Sequence, residues 1–246
     1  MARGHVVGII PARLGSMRFP GKVLAPVGGR PLVQHVYERL AEASSVDEVM
    51  VATDSAEVEE AVSLFGGRVV MVTEPCATGS DRVAAAVRDV MADVVVNLQA
   101  DQPMIDPADI DRTVEVLAAD AEADLSTLAF RADDEEGYRS PDVVKVVAGR
   151  GERALYFSRS PVPYISESTG VSSLYLHHVG IYCFRRAALE RFASFPRGAL
   201  ELRESLEQLR AVENGMAIGL ALTERQTLSV DRPADAALVE RRMSAL

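Results

Sequence analysis

The segment spanning residues 11–22, PARLGSMRFPGK, gathers Arg13, Arg18 and Lys22 among Gly15, Ser16 and Gly21, directly after a short apolar run. Cations and backbone amides crowded at the end of a strand can hold phosphate groups. The segment is not a Walker loop, because the stretch from Gly15 to the GK pair is one residue too long and Val23 stands where a Ser or Thr would reach Mg2+. It also lacks the three glycines of a dinucleotide fingerprint. Taken by itself, the loop suits a phosphate cradle or a solvated basic turn. Adjacent His177 and His178 invite a zinc reading, but neighbouring residues on a strand face opposite ways and no third ligand has useful spacing. Cys76 and Cys183 are too few for a disulfide framework and are read as core or bystander thiols.

The elements that must position this loop follow from periodicity. Short Val- and Ile-rich runs alternate with segments of helical period, the pattern of βαβ units and an α/β fold with a Rossmann-like, mostly parallel sheet flanked by helices. The runs 6–10, EVMVATD, RVVMV and ADVVVNLQADQP read as strands, while PLVQHVYERLAEA, AEVEEAVSLF and TGSDRVAAAVRDVM read as helices. In the first helix Leu32, Val36 and Leu40 form the apolar stripe. Beyond about residue 125 the rhythm loosens into DLSTLAF, VVKVVA, ALYFS and HVGIYCF, read as a smaller inserted mixed sheet. One helix is expected over LELRESLEQLRAVEN, with a core-facing stripe at Leu202, Leu206 and Leu209. The strand AIGLALT and a last helix opening at DRPADAALVERRM complete the expectation of a single domain over 1–246.

Composition narrows the partners. Of 246 residues, 48% are apolar and 25% charged, the balance of a folded globular chain. A formal net charge of −10 with no Lys/Arg block gives no basic face for nucleic acid. No apolar run has the length of a signal peptide or a bilayer span, so a membrane is not an expected partner and the cytoplasm is the expected location.

The opening loop resembles that of the CMP-Kdo synthetases, the 3-deoxy-manno-octulosonate cytidylyltransferases. The resemblance continues in order through VATD, TGSDR, NLQADQPMI, VKVV, ALYFSR, HHVGIY, LEQLR and VDRPAD, over nearly the whole chain. It implies a fold of the nucleotide-diphospho-sugar transferase type, with a nucleotide-binding part at about 1–124 and a sugar-binding and dimerisation part at about 125–215. It also implies transfer of CMP from CTP to the anomeric hydroxyl of an acidic sugar, Kdo, for lipopolysaccharide biosynthesis. Such a displacement needs charge neutralisation and in-line positioning more than a protein nucleophile.

The roles that follow are those the resemblance carries. Lys22, Arg13 and Asp101 are the expected catalytic residues. Ala12, Arg13, Ser16, Lys22, Thr78, Gly79, Ser80, Arg82 and Gln99 are expected to bind the nucleotide. Asp101 and Asp231, each following a strand, are the expected Mg2+ ligands, and Arg159, His178, Tyr182, Glu207 and Gln208 the expected sugar contacts. The family's quaternary state implies a homodimer.

Two departures qualify the match. The family's usual QGDEP is QADQP here, so Ala100 replaces a glycine and Gln102 an acid near the expected metal. After Arg159 the stretch SPVPYISESTGVSS also diverges, which admits a modified acceptor such as 8-amino-8-deoxy-Kdo. Other readings are a catalytically silent nucleotide-sugar-binding module and a nucleotidylyltransferase that activates a sugar phosphate.

Overall fold

A computed structural model describes residues 4–15, 18–166 and 174–244 of the chain. Ser16 and the second half of the divergent stretch after Arg159, residues 167–173, therefore lie outside the described residues. In chain order the elements are β1 (Val6–Pro11), β2 (Pro26–Val27), β3 (Arg30–Pro31), α1 (Leu32–Ala41), β4 (Glu48–Thr53), α2 (Ala56–Leu64), β5 (Val69–Met71), α3 (Gly79–Ala86), β6 (Val94–Leu98) and α4 (Pro107–Ala119). There follow β7 (Leu125–Ala132), α5 (Glu135–Arg139), β8 (Lys145–Ala148), β9 (Ala154–Ser158), β10 (Tyr175–Arg185), α6 (Arg186–Ser194), α7 (Ala199–Glu204), α8 (Leu209–Glu213), β11 (Ile218–Thr223) and α9 (Pro233–Met243). Two compact units emerge, Met1–Asp111 with Thr227–Leu246, and Arg112–Gln226, the division falling within α4.

In the first unit β1 lies between β6 and β4, β5 follows β4, and these three pairings are all parallel, while β2 and β3 form a small antiparallel hairpin apart from them. The expected stripe of α1 is fully buried at Leu32, Val36 and Leu40. Leu40 comes so close to β1 that a Cβ on Gly8 would stand 2.7 Å from its Cδ2, so a side chain there would push helix off sheet. Ser55 caps α2 by accepting from Val58 N (3.3 Å), and the chain turns out of that helix through Gly66 at φ 79°. The third helix stops at Ala86, short of its apparent sequence pattern, because its last turn tightens into short-range bonds such as Arg88 N to Ala85 O (3.4 Å).

The C-terminal segment belongs to this unit. Val230 and Val239 pack with Val27 and Leu32, and Phe19, Met104 and Met243 close over them. Pro233 occupies the first turn of α9, as its fixed φ allows.

The second unit is built on a mixed sheet in which β7 pairs with β11 in parallel and with β10 antiparallel. The ribbon β8–β9 is attached to β10 through β8. A register shift between Val179 and Tyr182 interrupts β10. Arg185 bonds the carbonyls of Leu117, Asp120 and Ala123, holding the chain that leaves α4. This helix and α6 are additions to the sequence reading, although Asp106 capping Ala108 N (2.9 Å) before Pro107 is a recognisable start signal.

The single helix expected over LELRESLEQLRAVEN is corrected to two short ones, α7 and α8. Ser205 breaks the run in the left-handed region at φ 53°, and Leu202, the first member of the supposed stripe, is 55% exposed. Polar groups compel the break. Glu213 folds back to accept from Leu200 N (3.0 Å) and Glu201 N (3.3 Å), capping the start of α7. Arg210 forms a bidentate pair with Glu201, both bonds 2.8 Å and both side chains buried, with its guanidinium 4.6 Å from the Phe192 ring centre. A straight helix has no way to satisfy both carboxylates.

Removing one member of such a pair strands a buried charge. Arg210→Leu is expected to lower unfolding stability by about 3–5 kcal/mol in urea titration. A loss below about 1 kcal/mol, the scale of exposed pairs, would show that the pair does not hold the α7–α8 corner.

Candidate active site

Each site residue in the first unit has a backbone reason for its position. Gly21 takes φ 68° just before a single 3₁₀ turn at Lys22–Leu24, a conformation that a Cβ would strain, and its N–H closes the loop onto Leu14 O (3.0 Å). Val23 is buried and anchors this turn in the core, which projects its neighbour Lys22 toward the end of β6. Asp101 lies three residues past β6. The Val230 N–H donates to the Asp101 carbonyl (2.9 Å), and the Asp235 carboxylate accepts from the N–H groups of Asp231 (2.9 Å) and Arg232 (2.7 Å). The chain end is thereby fixed so that Asp231 meets Lys22 and Arg18.

The result is a cluster of alternating charge. Lys22 Nζ stands 2.9 Å from Asp101 Oδ2 and 3.6 Å from Asp231 Oδ1, and the Arg18 guanidinium reaches the same Asp231 oxygen at 3.2 Å. The lysine side chain is only 12% exposed, whereas that of Arg18 is 46% exposed. A cavity of about 290 Å³ opens over the cluster, with Arg13, Gln99 and Ala100 in its wall. That is near the lower end of small-molecule sites, which run from about 300 to 1,000 Å³.

Of the residues expected to serve nucleotide and metal, Arg13, Lys22, Gln99, Asp101 and Asp231 are brought together around this cavity. Ala12 is buried beside it, with its N–H bonded to Ala52 O (2.9 Å). The N-terminus of α3 touches the wall from behind, since a Cβ on Gly79 would lie 3.0 Å from Gln99 Nε2 and 3.3 Å from Pro11 Cγ. Thr78 and Asp81 cap that helix reciprocally, and Ser80 Oγ accepts from Asn97 Nδ2 (2.9 Å), whose Oδ1 in turn accepts from Gln99 (3.0 Å). Arg82 is buried, bonded to Asp54 (2.8 Å) and Val72 O (3.2 Å), so its guanidinium braces the cavity's support. Arg18 is visible in the sequence as part of the basic loop, and its place on Asp231 comes only from the fold.

The two substitutions within QADQP have local explanations. Ala100 does not need a glycine, because Glu152 and Ser205 are the non-glycine residues at positive φ among those described. Gln102 is buried with its amide nitrogen 3.5 Å from Asp101 Oδ1, where an acid would place like charges together.

Two carboxylates are a small donor set. Among the described residues no group of three or more His, Cys, Asp or Glu side chains could hold a metal. Two hard oxygen donors beside a cavity fit a Mg2+-like ion that retains waters and takes phosphate oxygens, and they do not fit a closed zinc site.

The expected sugar residues lie in the second unit. Arg159 follows β9, and its guanidinium donates to the carbonyls of Glu204 (2.8 Å), Pro141 (2.9 Å) and Ser205 (3.5 Å), while its N–H meets the Glu204 carboxylate (2.9 Å). Lys145, with no exposed surface, donates to Ser140 O (2.8 Å), Val143 O (2.7 Å) and Arg159 O (2.6 Å). Burial, and then the Arg159 charge, hold its pKa below the usual lysine value. Gln208 is 3% exposed and its Nε2 has no partner among the described residues. Glu207 is half-buried. Lys145, within the VKVV motif, and Glu204 carry no sequence signal for this contact with Arg159, which depends on tertiary closure.

His178 and Tyr182 are buried neighbours with ring centres 5.5 Å apart. Thr127 gives its single hydroxyl proton to Ile181 O (2.7 Å), so it must accept from His178 Nε2 (2.9 Å). That assigns a neutral imidazole protonated at Nε2.

Burial pushes His177 down to about 4 and His178 down to about 3, with the His177 charge a smaller contribution to the second. The folded state therefore resists protonation that the unfolded chain accepts near pH 6.5, and the stability this gives is complete above that pH and lost as pH falls toward 4. Each histidine should contribute a slope of about 1.4 kcal/mol per pH unit there. Urea unfolding of His178→Gln should show a visibly flatter decline than the parent chain, and parallel declines would refute the assignment.

Comparison with known proteins adds a consistent set of findings. A family model described as Cytidylyltransferase matches residues 7–218. A 3-deoxy-manno-octulosonate cytidylyltransferase from Syntrophobacter fumaroxidans is 44% identical over 94% of each chain. One from Geobacter metallireducens is 46% identical over 97% of this chain and 98% of its own. Among solved structures, a CMP:2-keto-3-deoxy-manno-octonic acid synthetase complexed with CTP matches with TM-score 0.91 at 40% identity, covering 98% of this chain and 99% of that one. A cytidylyltransferase from Leptospira borgpetersenii matches with TM-score 0.66 at 19% identity, over 98% and 87%, a likeness of fold alone.

Proposed function

The chain belongs to the 3-deoxy-manno-octulosonate cytidylyltransferase family, and on that premise we propose that it transfers CMP from CTP to the anomeric hydroxyl of Kdo, releasing pyrophosphate, in lipopolysaccharide biosynthesis. The observation that carries the reading is the meeting of Lys22 with Asp101 and Asp231 at a cavity also lined by Arg13. In the reaction an oxygen–phosphorus bond forms at the α-phosphate as the α–β anhydride breaks. Negative charge grows on the departing pyrophosphate, so fixed cations have the largest effect on rate.

Arg13, Lys22 and Ser16 are assigned to the triphosphate, with Lys22 following the developing charge on its flexible stem. Gln99 and the backbone at Ala12 are assigned to cytosine and ribose, and Thr78, Gly79, Ser80 and Arg82 to the nucleotide's flank. Asp101 and Asp231 would hold Mg2+, which when bound would supply charge neutralisation at the phosphates. Arg159, His178, Tyr182, Glu207 and Gln208 are assigned to the sugar acid. The unpartnered amide of Gln208 supports this, as does the neutral His178, whose Nδ1 is left as an acceptor. Arg159 can turn its weakest bond, to Ser205 O, toward a carboxylate. We read the chain as one nucleotidylyltransferase domain, cytoplasmic and homodimeric, and light scattering on the purified protein would test the dimer. Among the described residues no helix is long and apolar enough to cross a membrane.

A panel of sugar acids, including Kdo and 8-amino-8-deoxy-Kdo, assayed with four nucleoside triphosphates should release pyrophosphate only with CTP, Mg2+ and one of the 3-deoxy acids. Lys22→Ala should lower kcat by about 10²–10³ or more with the melting temperature nearly unchanged. Equal turnover of neutral sugar phosphates would defeat the Kdo reading. Tight CTP binding without turnover of any sugar acid would favour the silent module.

A further inference from the structure

The carboxylates assigned to the metal are already occupied by cations belonging to the chain. Asp101 Oδ2 receives Lys22, its Oδ1 faces the Gln102 amide, and Asp231 Oδ1 receives both Lys22 and Arg18. Two positive side chains thus balance two negative ones. A divalent ion bound through these oxygens would need about 2.0–2.1 Å to each, with the ammonium moved off the same lone pairs. Bare addition of such an ion would leave the cluster with two uncompensated positive charges in a pocket where Lys22 is mostly buried, and like charges at contact distance repel strongly there. A triphosphate changes that balance. Its oxygens offer both side chains new partners at the moment the carboxylates are vacated, and its own charge compensates the metal.

Resting on the cytidylyltransferase reading, we infer that Lys22 and Arg18 form a cationic lock on Asp101 and Asp231, so that the protein takes up its divalent ion only as the metal–nucleotide complex. The lysine has a second task besides charge stabilisation in the reaction. In the free protein it holds the carboxylates for the metal and denies them to a free ion. The structure supplies the means for release. Lys22 sits on a one-turn helix entered through a left-handed glycine, at the end of a loop whose closing bond, Gly21 N to Leu14 O, does not involve its side chain. Metal and nucleotide binding must then be coupled, and by linkage each strengthens the other to the same degree.

The test reads metal affinity directly, by titrating Mn2+ into the nucleotide-free full chain and following the free ion by electron paramagnetic resonance. Lys22→Met should bind Mn2+ about tenfold or more tighter than the parent chain without nucleotide, because a full charge has left the carboxylates. Arg18→Met, which relieves Asp231 alone, should give a smaller gain. The gain should vanish in Lys22→Met/Asp101→Asn, which separates this site from adventitious Mn2+ binding, and thermal melts verify folding. Mn2+ affinity in Lys22→Met equal to or weaker than in the parent would overturn the lock, while the parent still binding Mn2+ with CTP would leave the proposed function standing. Failure of the parent to bind Mn2+ even with CTP would overturn both.

Discussion

A single backbone hydrogen bond, from Val230 N to Asp101 O, fixes where the far end of the chain meets the end of β6. It brings the two carboxylates within reach of one lysine although more than half the sequence separates them. Around that bond the first unit supplies stiffness from several directions. The cluster of Val27, Leu32, Val230 and Val239 packs the C-terminal helix against the β2–β3 hairpin, and Asp235 clamps the amides on either side of the junction. The charges can then be arranged finely, because side chains are held by backbone that is itself satisfied. Local propensity at Asp231 would not have achieved this.

The second unit uses polar burial for a different purpose. Arg210 with Glu201 is buried, Glu204 with Ser158 and Arg159 is half-buried, and Lys145 donates to three carbonyls; the first two join segments that strand pairing leaves unjoined, and the third ties the chain before β8 to the end of β9. Polar groups buried in this way specify one arrangement more sharply than they add stability, since alternatives would leave them without partners. That suits a region whose expected role is to recognise hydroxyls and a carboxylate.

Sequence and structure agree best where one physical pattern dominates. Leu32, Val36 and Leu40 are buried as a helical stripe, and the Val-rich runs of β1, β4 and β6 form the parallel sheet, because burial alone decides their placement. The Leu202–Leu209 stripe misled because Glu201, Arg210 and Glu213 outweighed helical periodicity, through contacts that periodicity does not encode. At the candidate site the residue types could be identified, and family resemblance supplied the pairing of Asp101 with Asp231. What stayed hidden was Arg18 on Asp231 and Lys145 beneath Arg159, because both depend on tertiary closure. Gly79 shows the intermediate case. The resemblance names it for nucleotide binding, and the nearness of Gln99 and Pro11 adds a packing reason for the missing side chain that only the fold reveals.

Lys145 has one more implication. Three carbonyl oxygens, from residues 140, 143 and 159, converge on its nitrogen in the way they would cage a potassium ion. Here the caged cation is covalently tethered, so these carbonyls need no dissolved ion to satisfy them. Loops that elsewhere would lose such an ion by dissociation are, in this chain, bound to one that cannot diffuse away.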